Sequence, residues 1–395
     1  MLVTDYSAKQ FEREEHDESI YRYWRWLPIV RRLSGAGRTI TYRSAQLSVL
    51  TGLPNLWIAF NGYWPEKGAA LQTATFKELE ACAVLSRIPQ GQNGVLVVAS
   101  AGNTAAAFGR MCSENEIACL IVIPERALNR MLVADPLQSS VRIVCLGGSA
   151  DYYDAITVAD RISRVEGFFA EGGVKNVARR DGLGTTLLNA VEAMGQLPEY
   201  YFQAVGSGCG GIAVFEAAKR LVAGGNFGQR LPRLMLSQNS PFCPMYDSWK
   251  SGQRGLIELR PDVAKAQIRN IMAGVLSNRN PCYSVRGGVY DALMESRGDM
   301  LVATNQEALA ASRLFNQSEG IDIDPAAAVA LATLIKASRF NRIPRQASVL
   351  LHITGGGWLK RSLESTLIPA RPALTIGEGE LHSDTTLERL VSLFR

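Results

Sequence analysis

The sequence predicts an α/β protein of two doubly wound domains, each a parallel sheet with helices on both faces. Three observations lead there. Of 395 residues, 47% are hydrophobic and 20% charged, the balance of a globular chain and not of a disordered or collagen-like one. At roughly 100–200 residues per domain, that length suggests two domains with cores that need no disulfide or metal staples. From about Gly94, short β-branched runs alternate with amphipathic stretches, which is the pattern of successive β-α units.

In order, residues 94–100 (GVLVVAS) read as a strand, 103–116 as a helix, 117–124 (IACLIVIP) as a strand, 129–137 (NRMLVADPL) as a helix and 141–147 (VRIVCLG) as a strand. A second series follows, with helices at 154–163 and 185–195, a strand at 200–205, a helix at 210–225, a strand at 233–237 and a last buried strand at 347–354. Continuous apolar runs of this kind suit strands covered on both faces. The glycine pairs Gly172-Gly173 and Gly224-Gly225 read as turns or helix ends. Upstream, Tyr21, Tyr23, Trp24 and Trp26 read as a packing surface. Aromatic residues are also enriched at interfaces, so the same cluster is the candidate contact of a homodimer.

Several classes are set aside. The net charge is +5, with no run of five or six like charges to mark a nucleic-acid arm, so no nucleic-acid partner is expected. The first residues are polar and acidic, and the longest apolar runs fall far short of the ~18 residues of a membrane span. Neither a signal peptide nor a membrane association is expected. Seven Cys without a C-x-x-C pair favour neither a disulfide framework nor a zinc ribbon and fit a reducing cytoplasm. Three scattered His, at 16, 352 and 382, are too few for a multi-His metal site, so no metal is expected.

Four constellations carry chemistry. Val205-Gly206-Ser207-Gly208-Cys209-Gly210-Gly211 follows a strand and opens a helix. It is either tight packing or a cradle whose N–H groups and helix dipole hold an anion, and its spacing suits a monophosphate better than a nucleotide. Ser100-Ala101-Gly102-Asn103-Thr104 stands at another strand-to-helix junction, where it either caps the helix or binds a carboxylate. Lys77, in Thr73-Ala74-Thr75-Phe76-Lys77-Glu78-Leu79-Glu80, begins a helix, where the dipole disfavours a cation. It is either a solvated surface residue or a desolvated amine able to form a Schiff base. His352-Ile353-Thr354-Gly355-Gly356-Gly357 is either a flexible loop or backbone held against a ligand at the carboxyl end of a parallel strand.

Together these residues resemble the fold type II pyridoxal-phosphate (PLP) enzymes, the tryptophan synthase β-like fold, and within them the threonine synthase branch. The resemblance runs from Arg43 to Lys360 and includes Asn280-Pro281 and Glu319-Gly320-Ile321-Asp322-Ile323-Asp324-Pro325-Ala326 in the family's order. It implies PLP between two domains. Residues 1–93 plus 174–395 would form the large PLP-binding domain, and 94–173 a small domain holding the substrate carboxylate. It further implies Lys77 as the Schiff-base lysine, with Asn103, Gly206, Ser207, Gly208, Cys209, Gly210 and Thr354 on the cofactor. Thr75, Ser100, Ala101, Gly102 and Thr104 would lie on the substrate. Tyr23-Trp24-Arg25-Trp26-Leu27-Pro28, Gly62 to Gly68, Phe76 to Ala81, Asn176 to Gly182 and Phe202 to Gly208 are most similar to the cysteate synthase family. Departures are the absence of a Cys-rich leading segment, Ala101 and Ala105 where Ser or Gly is frequent, and Asp324 in place of Glu.

What the resemblance implies for the reaction is β-replacement of O-phospho-L-serine by sulfite through an aminoacrylate, giving L-cysteate. The alternatives are threonine formation from O-phosphohomoserine, or phosphoserine with another nucleophile. Thr354 on the pyridine nitrogen would leave it neutral and favour rapid loss of a β leaving group. Arg179 and Arg180 are the candidates for gripping the substrate oxyanions, because guanidinium binds them bidentately; Lys175, Asn176 and Arg286 stand behind them.

Overall fold

Residues 1–395 are described by a computed structural model. The larger sheet runs in the order Ile40–Arg43, Leu56–Phe60, Val349–Ile353, Tyr200–Ala204, Arg233–Asn239, Asp299–Ala303. Only its first pair is antiparallel; in the rest Phe202 stands parallel between Leu351 and Met235. Alternate strand residues serve opposite faces, as a period of two requires. Tyr201, Leu234 and Leu350 pack with Leu183, Leu187 and Ala213 of the helices Val177–Met194 and Cys209–Gly224. Tyr200, Phe202 and Leu351 pack with Ala327 to Leu331 of the helix Pro325–Arg339. At the carboxyl ends of the central strands the chain turns into the loops at Val205 and Thr354.

The smaller sheet is entirely parallel, in the order Leu374–Ile376, Val141–Leu146, Cys119–Pro124, Val95–Ala99, Phe168–Ala170. Val97, Leu120 and Val122 face the helix Tyr152–Ile162 through Ala155 and Val158, whereas Val98 and Ile121 face Phe108 and Met111 of the helix Asn103–Glu114. Asp151 starts the first of these helices with a reciprocal capping box to Asp154. The αL conformation at Gly195 and Gly225 ends the two long helices of the larger unit.

Three expectations differ from the structure. The C-terminal tail, assigned by sequence to the larger unit, supplies the edge strand Leu374–Ile376 and the helix Asp384–Ser392 to the smaller one, burying Ile376 and Leu390 there. The helix expected over 129–137 is absent: the turn Glu125–Arg130 is 3₁₀, a short strand follows at Leu132–Val133, and Pro136 removes a helical donor. The aromatic cluster does not form the exposed face that suggested a dimer contact. Tyr21, Tyr23 and Trp26 are buried within the chain, Trp26 packing edge-on against Phe11, and only Trp24 is substantially exposed. All seven Cys are free thiols, and no helix is long and apolar enough to cross a membrane.

Because Ile376 is fully buried in a strand contributed by the tail, Ile376→Ala should destabilise the protein by about 2–5 kcal/mol. A denaturant unfolding curve that matched the wild type would remove the tail from the folded core.

Candidate active site

A cleft opens between the two units at the carboxyl ends of their strands and encloses about 700 Å³ counted to its open mouth. Lys77 reaches it from a helix whose preceding turn is sewn to the Thr354 turn. Phe76 N–H donates to the Thr354 carbonyl at 2.9 Å, Gly356 N–H donates to the Ala74 carbonyl at 3.0 Å, and Thr75 pairs with Gly355. Ala74 takes a left-handed φ of 52° to make this turn. Two segments far apart in sequence thus become one backbone wall.

The Lys77 ammonium lies 2.9 Å from Glu80 Oε2, one helical turn along. Glu80 is wholly inaccessible to water. Its second oxygen accepts from Thr104 Oγ1 at 2.8 Å, and Arg179 Nη2 stands 3.4 Å away. Arg179 in turn forms a bidentate pair with Glu171, both bonds 2.7 Å. Burial acts to raise the Glu80 pKa, yet Arg179, Lys77 and the Thr104 hydroxyl outweigh it and hold the carboxyl below its ordinary range. Burial likewise works against the Arg179 charge, and Glu171 and Glu80 more than restore it. Lys77, Glu80, Arg179 and Glu171 form a balanced set of two cations and two anions.

Behind the cleft, His352 is buried with both ring nitrogens engaged, by Asn61 Nδ2 at 2.8 Å and by the Tyr201 hydroxyl at 2.6 Å. The Asn61 nitrogen can only donate, so His352 carries its proton on Nδ1, and Tyr201 passes its own to Gln203 Oε1 at 2.8 Å. Burial, reinforced by the Lys77 charge, lowers the His352 pKa to about 3 and keeps the ring neutral. The network holds the Gln203 amide, whose nitrogen occupies the space that a Cβ on residue 210 would need, so a side chain there would have to push that amide out of its hydrogen bond.

Of the residues read from the sequence, Lys77, Ser100, Ala101, Gly102, Asn103, Thr104, Arg179, Gly206, Ser207, Gly208, Cys209, Gly210 and Thr354 all line this one cleft. Within it Ser100 acts as a cap, its Oγ accepting from Gly102 N–H at 3.0 Å and Ala105 N–H at 2.8 Å. Burial pushes the Cys209 thiol up to about 12, so the residue offers its backbone and not a nucleophile. Three expected substrate contacts lie elsewhere. Thr75 is buried in the turn beneath Lys77. Asn176 caps the helix Val177–Met194 through Ala178 N–H and donates to the Glu171 carbonyl. Arg180, one residue and about 100° of helix beyond Arg179, points away and pairs with Glu216 at 2.8 Å and with the carbonyls of Val174 and Leu2. Lys175 and Arg286 are exposed outside the cleft. Asp181 pairs with Arg220 at 2.9 Å and accepts from the hydroxyls of Thr4 and Tyr6.

Sequence reasoning missed Glu80, Gln203, Tyr152 and Asn278. Glu80 had a signal in its three-residue spacing from Lys77. Tyr152 and Asn278 had none, since only tertiary packing brings them to the cleft.

The cleft suits a flat, phosphorylated aldehyde. It holds an amine, a helix at Cys209–Gly224 whose first N–H meets Ser207 Oγ at 3.3 Å while the N–H groups of Gly210 and Gly211 are left for an anion, and a Thr354 hydroxyl that bonds to nothing in the protein. Residues 34–355 match the family model described as pyridoxal-phosphate dependent enzyme. Among solved structures the chain resembles maize serine racemase, with a TM-score of 0.62 and 17% identity over 83% of this chain and 92% of that one. It also resembles the diaminopropionate ammonia lyase of Escherichia coli, with a TM-score of 0.61 and 15% identity over 84% and 88%. The chain therefore belongs to the PLP-dependent enzymes of fold type II. Among curated proteins it is 45% identical to the cysteate synthase of Methanocorpusculum labreanum over 95% of this chain and 91% of that one. It is 41% identical to that of Methanosarcina acetivorans over 98% and 92%. Within the class it is a member of the cysteate synthase family, and its cofactor is PLP.

A buried His352 that stays neutral gives a stability term with a definite sign. Between pH about 6.5 and about 3 the unfolded imidazole binds a proton that the folded one refuses. This residue should therefore remove about 1.4 kcal/mol of stability per unit as pH falls through that window. Urea unfolding of His352→Gln across the same range should show a shallower acid slope than wild type; parallel slopes would mean that the ring titrates normally.

Proposed function

We propose that this chain catalyses PLP-dependent β-replacement of O-phospho-L-serine by sulfite, giving L-cysteate and inorganic phosphate. The Cβ–O bond of the phosphoester breaks, a Cβ–S bond to sulfite forms, and the α proton is taken and returned. The observation that carries this reading is 41–45% identity with cysteate synthases over nearly the whole chain, in a protein whose cleft holds Lys77 among the loop residues expected around it. Bound PLP supplies an electron sink for the substrate α-carbon.

The remaining work falls to side chains. Lys77 would hold the cofactor through Nζ and, displaced by the substrate amine, take the α proton on that atom and later return it. Glu80, 2.9 Å from Nζ, would hold the amine while it carries the proton. Ser100 Oγ accepts two N–H bonds as a cap and keeps its own O–H, so the substrate carboxylate would take that donor together with N–H groups left free in the loop Ala101 to Thr104. Asn103 would stand beside the cofactor ring oxygen, and the backbone from Gly206 to Gly210 would bind its phosphate. Thr354, an uncharged donor, would meet the pyridine nitrogen without protonating it. Arg179, held through Nε and Nη2 by Glu171 and near Glu80, would preserve the charge balance of the cleft it lines, with Nη1 left to face a substrate oxyanion.

Purified PLP-loaded protein should release phosphate from O-phospho-L-serine, and with sulfite present the amino-acid product should have the mass of cysteate. Turnover of O-phosphohomoserine alone would overturn the reading. Lys77→Ala should lose both the absorbance of the protein-bound cofactor and turnover, whereas Arg180→Met should lower thermal stability while leaving KM for phosphoserine within about twofold; a large KM change would put Arg180 back in the site.

A further inference from the structure

The proposed reaction needs a place for a doubly charged oxyanion besides the cofactor phosphate; Arg180 is turned away, and Arg179, paired with Glu171 and close to Glu80, has only Nη1 left and no net charge to spare for a dianion. Beside the active-site cleft lies a second cavity of about 660 Å³ on the same count, sharing Ala101 and Tyr152 as a common wall. Arg126, Arg130 and Arg269 line it, and no carboxylate does. Arg126 and Arg130 come from the 3₁₀ turn Glu125–Arg130 at the carboxyl end of a central strand of the smaller sheet, and Arg269 ends the helix Pro261–Arg269 of the larger unit. The cavity therefore bridges the two units.

These charges are scarcely balanced within the chain. Arg126 and Arg269 make no ion pair and no side-chain hydrogen bond, and the one acidic partner of Arg130 is Asp324, 3.8 Å away. The nearby acids are engaged elsewhere: Asp151 accepts from Arg279 at 3.0 Å and caps a helix, and Asp154 faces Lys265 at 3.4 Å. Arg126 and Arg269 are exposed at the rim of the cavity and Arg130 is half-buried; desolvation by the surrounding chain lowers the Arg126 pKa, Asp151 and Asp154 opposing the shift and Arg269 and Arg279 adding to it. Arg130 lies directly over the carboxylate loop, its Cδ 2.7 Å from where a Cβ on Gly102 would stand.

We propose that Arg126, Arg130 and Arg269 form the subsite for a dianionic oxyanion of the reaction, a phosphate ester or sulfite, next to the reacting carbon. Guanidinium groups converging from two units suit such an ion, because each oxygen can accept a charge-assisted bond and the ion relieves their mutual repulsion. The inference rests on the proposed β-replacement for its substrate, but the cavity's taste for oxyanions is testable without turnover. Calorimetric titration of the PLP-loaded protein with inorganic phosphate and with sulfite should show binding weakened at least tenfold in Arg126→Met and Arg269→Met, and unchanged in Arg345→Met, a distant surface variant. Cofactor absorbance should stay at the wild-type level in all three. If the subsite holds the substrate phosphate, KM for O-phosphoserine rises about tenfold or more and that for sulfite does not; if it holds sulfite, the reverse is found and phosphate release without sulfite is unaffected. Wild-type affinity for both ions in the two cleft variants would overturn the proposal. Absence of phosphoserine turnover in wild type, with ion binding lost in the variants, would refute the reaction and leave the subsite standing.

Discussion

A carboxylate without access to water, Glu80, is the constraint around which the two units are arranged. An isolated charge there would be prohibitively costly, so its neighbours are required and not optional. Lys77 comes from its own helix, Thr104 from the loop Ser100 to Thr104 of the smaller unit, and Arg179 from a long helix of the larger one. Arg179 then needs Glu171, which follows the strand Phe168–Ala170 of the smaller sheet. One buried charge thereby ties four segments together and fixes where the reactive amine rests. It also answers the dipole problem of a lysine at a helix start, because the compensating anion sits one turn along the same face.

The second organising feature is backbone against backbone. The lysine turn and the Thr354 turn are hydrogen-bonded to each other, and Gln203 packs on the glycine loop with its amide held by Tyr201 and His352. Both arrangements exclude side chains, which explains glycine at 210 better than general flexibility does. They also show why a neutral His352 belongs to the scaffold: its two nitrogens are spent on orienting neighbours, none of which is a reacting group.

Charge is distributed differently on the two sides of Tyr152. On the cofactor side cations and anions are matched pairwise at short distance, so that the amine is positioned without a strong net field. In the adjoining cavity three guanidinium groups stand with almost no acidic partners, and on the proposed reading their positive field would draw a substrate oxyanion. Such a division would separate holding the amine from holding the anions, two demands that a single cluster of charges would meet poorly.

The sequence by itself determined the class of fold, the family and most of the wall of the cleft. Apolar runs covered on both faces imply parallel strands, and the loops with Lys77, Asn103, Gly206 to Gly210 and Thr354 are local motifs whose chemistry is written within a few residues. Tertiary structure decided what depends on direction and on distant partners. Arg179 and Arg180 are equivalent as letters, but a helix rotates successive residues by about 100°, so one enters the cleft and the other anchors the N-terminal arm. Asn176 could be ligand or cap until its helix was in place, and the tail could belong to either unit until Ile376 found its parallel partner. Arg126, Arg130 and Arg269 became a group only when two units closed on one cavity, because charge balance is a property of three-dimensional neighbours and not of spacing along the chain.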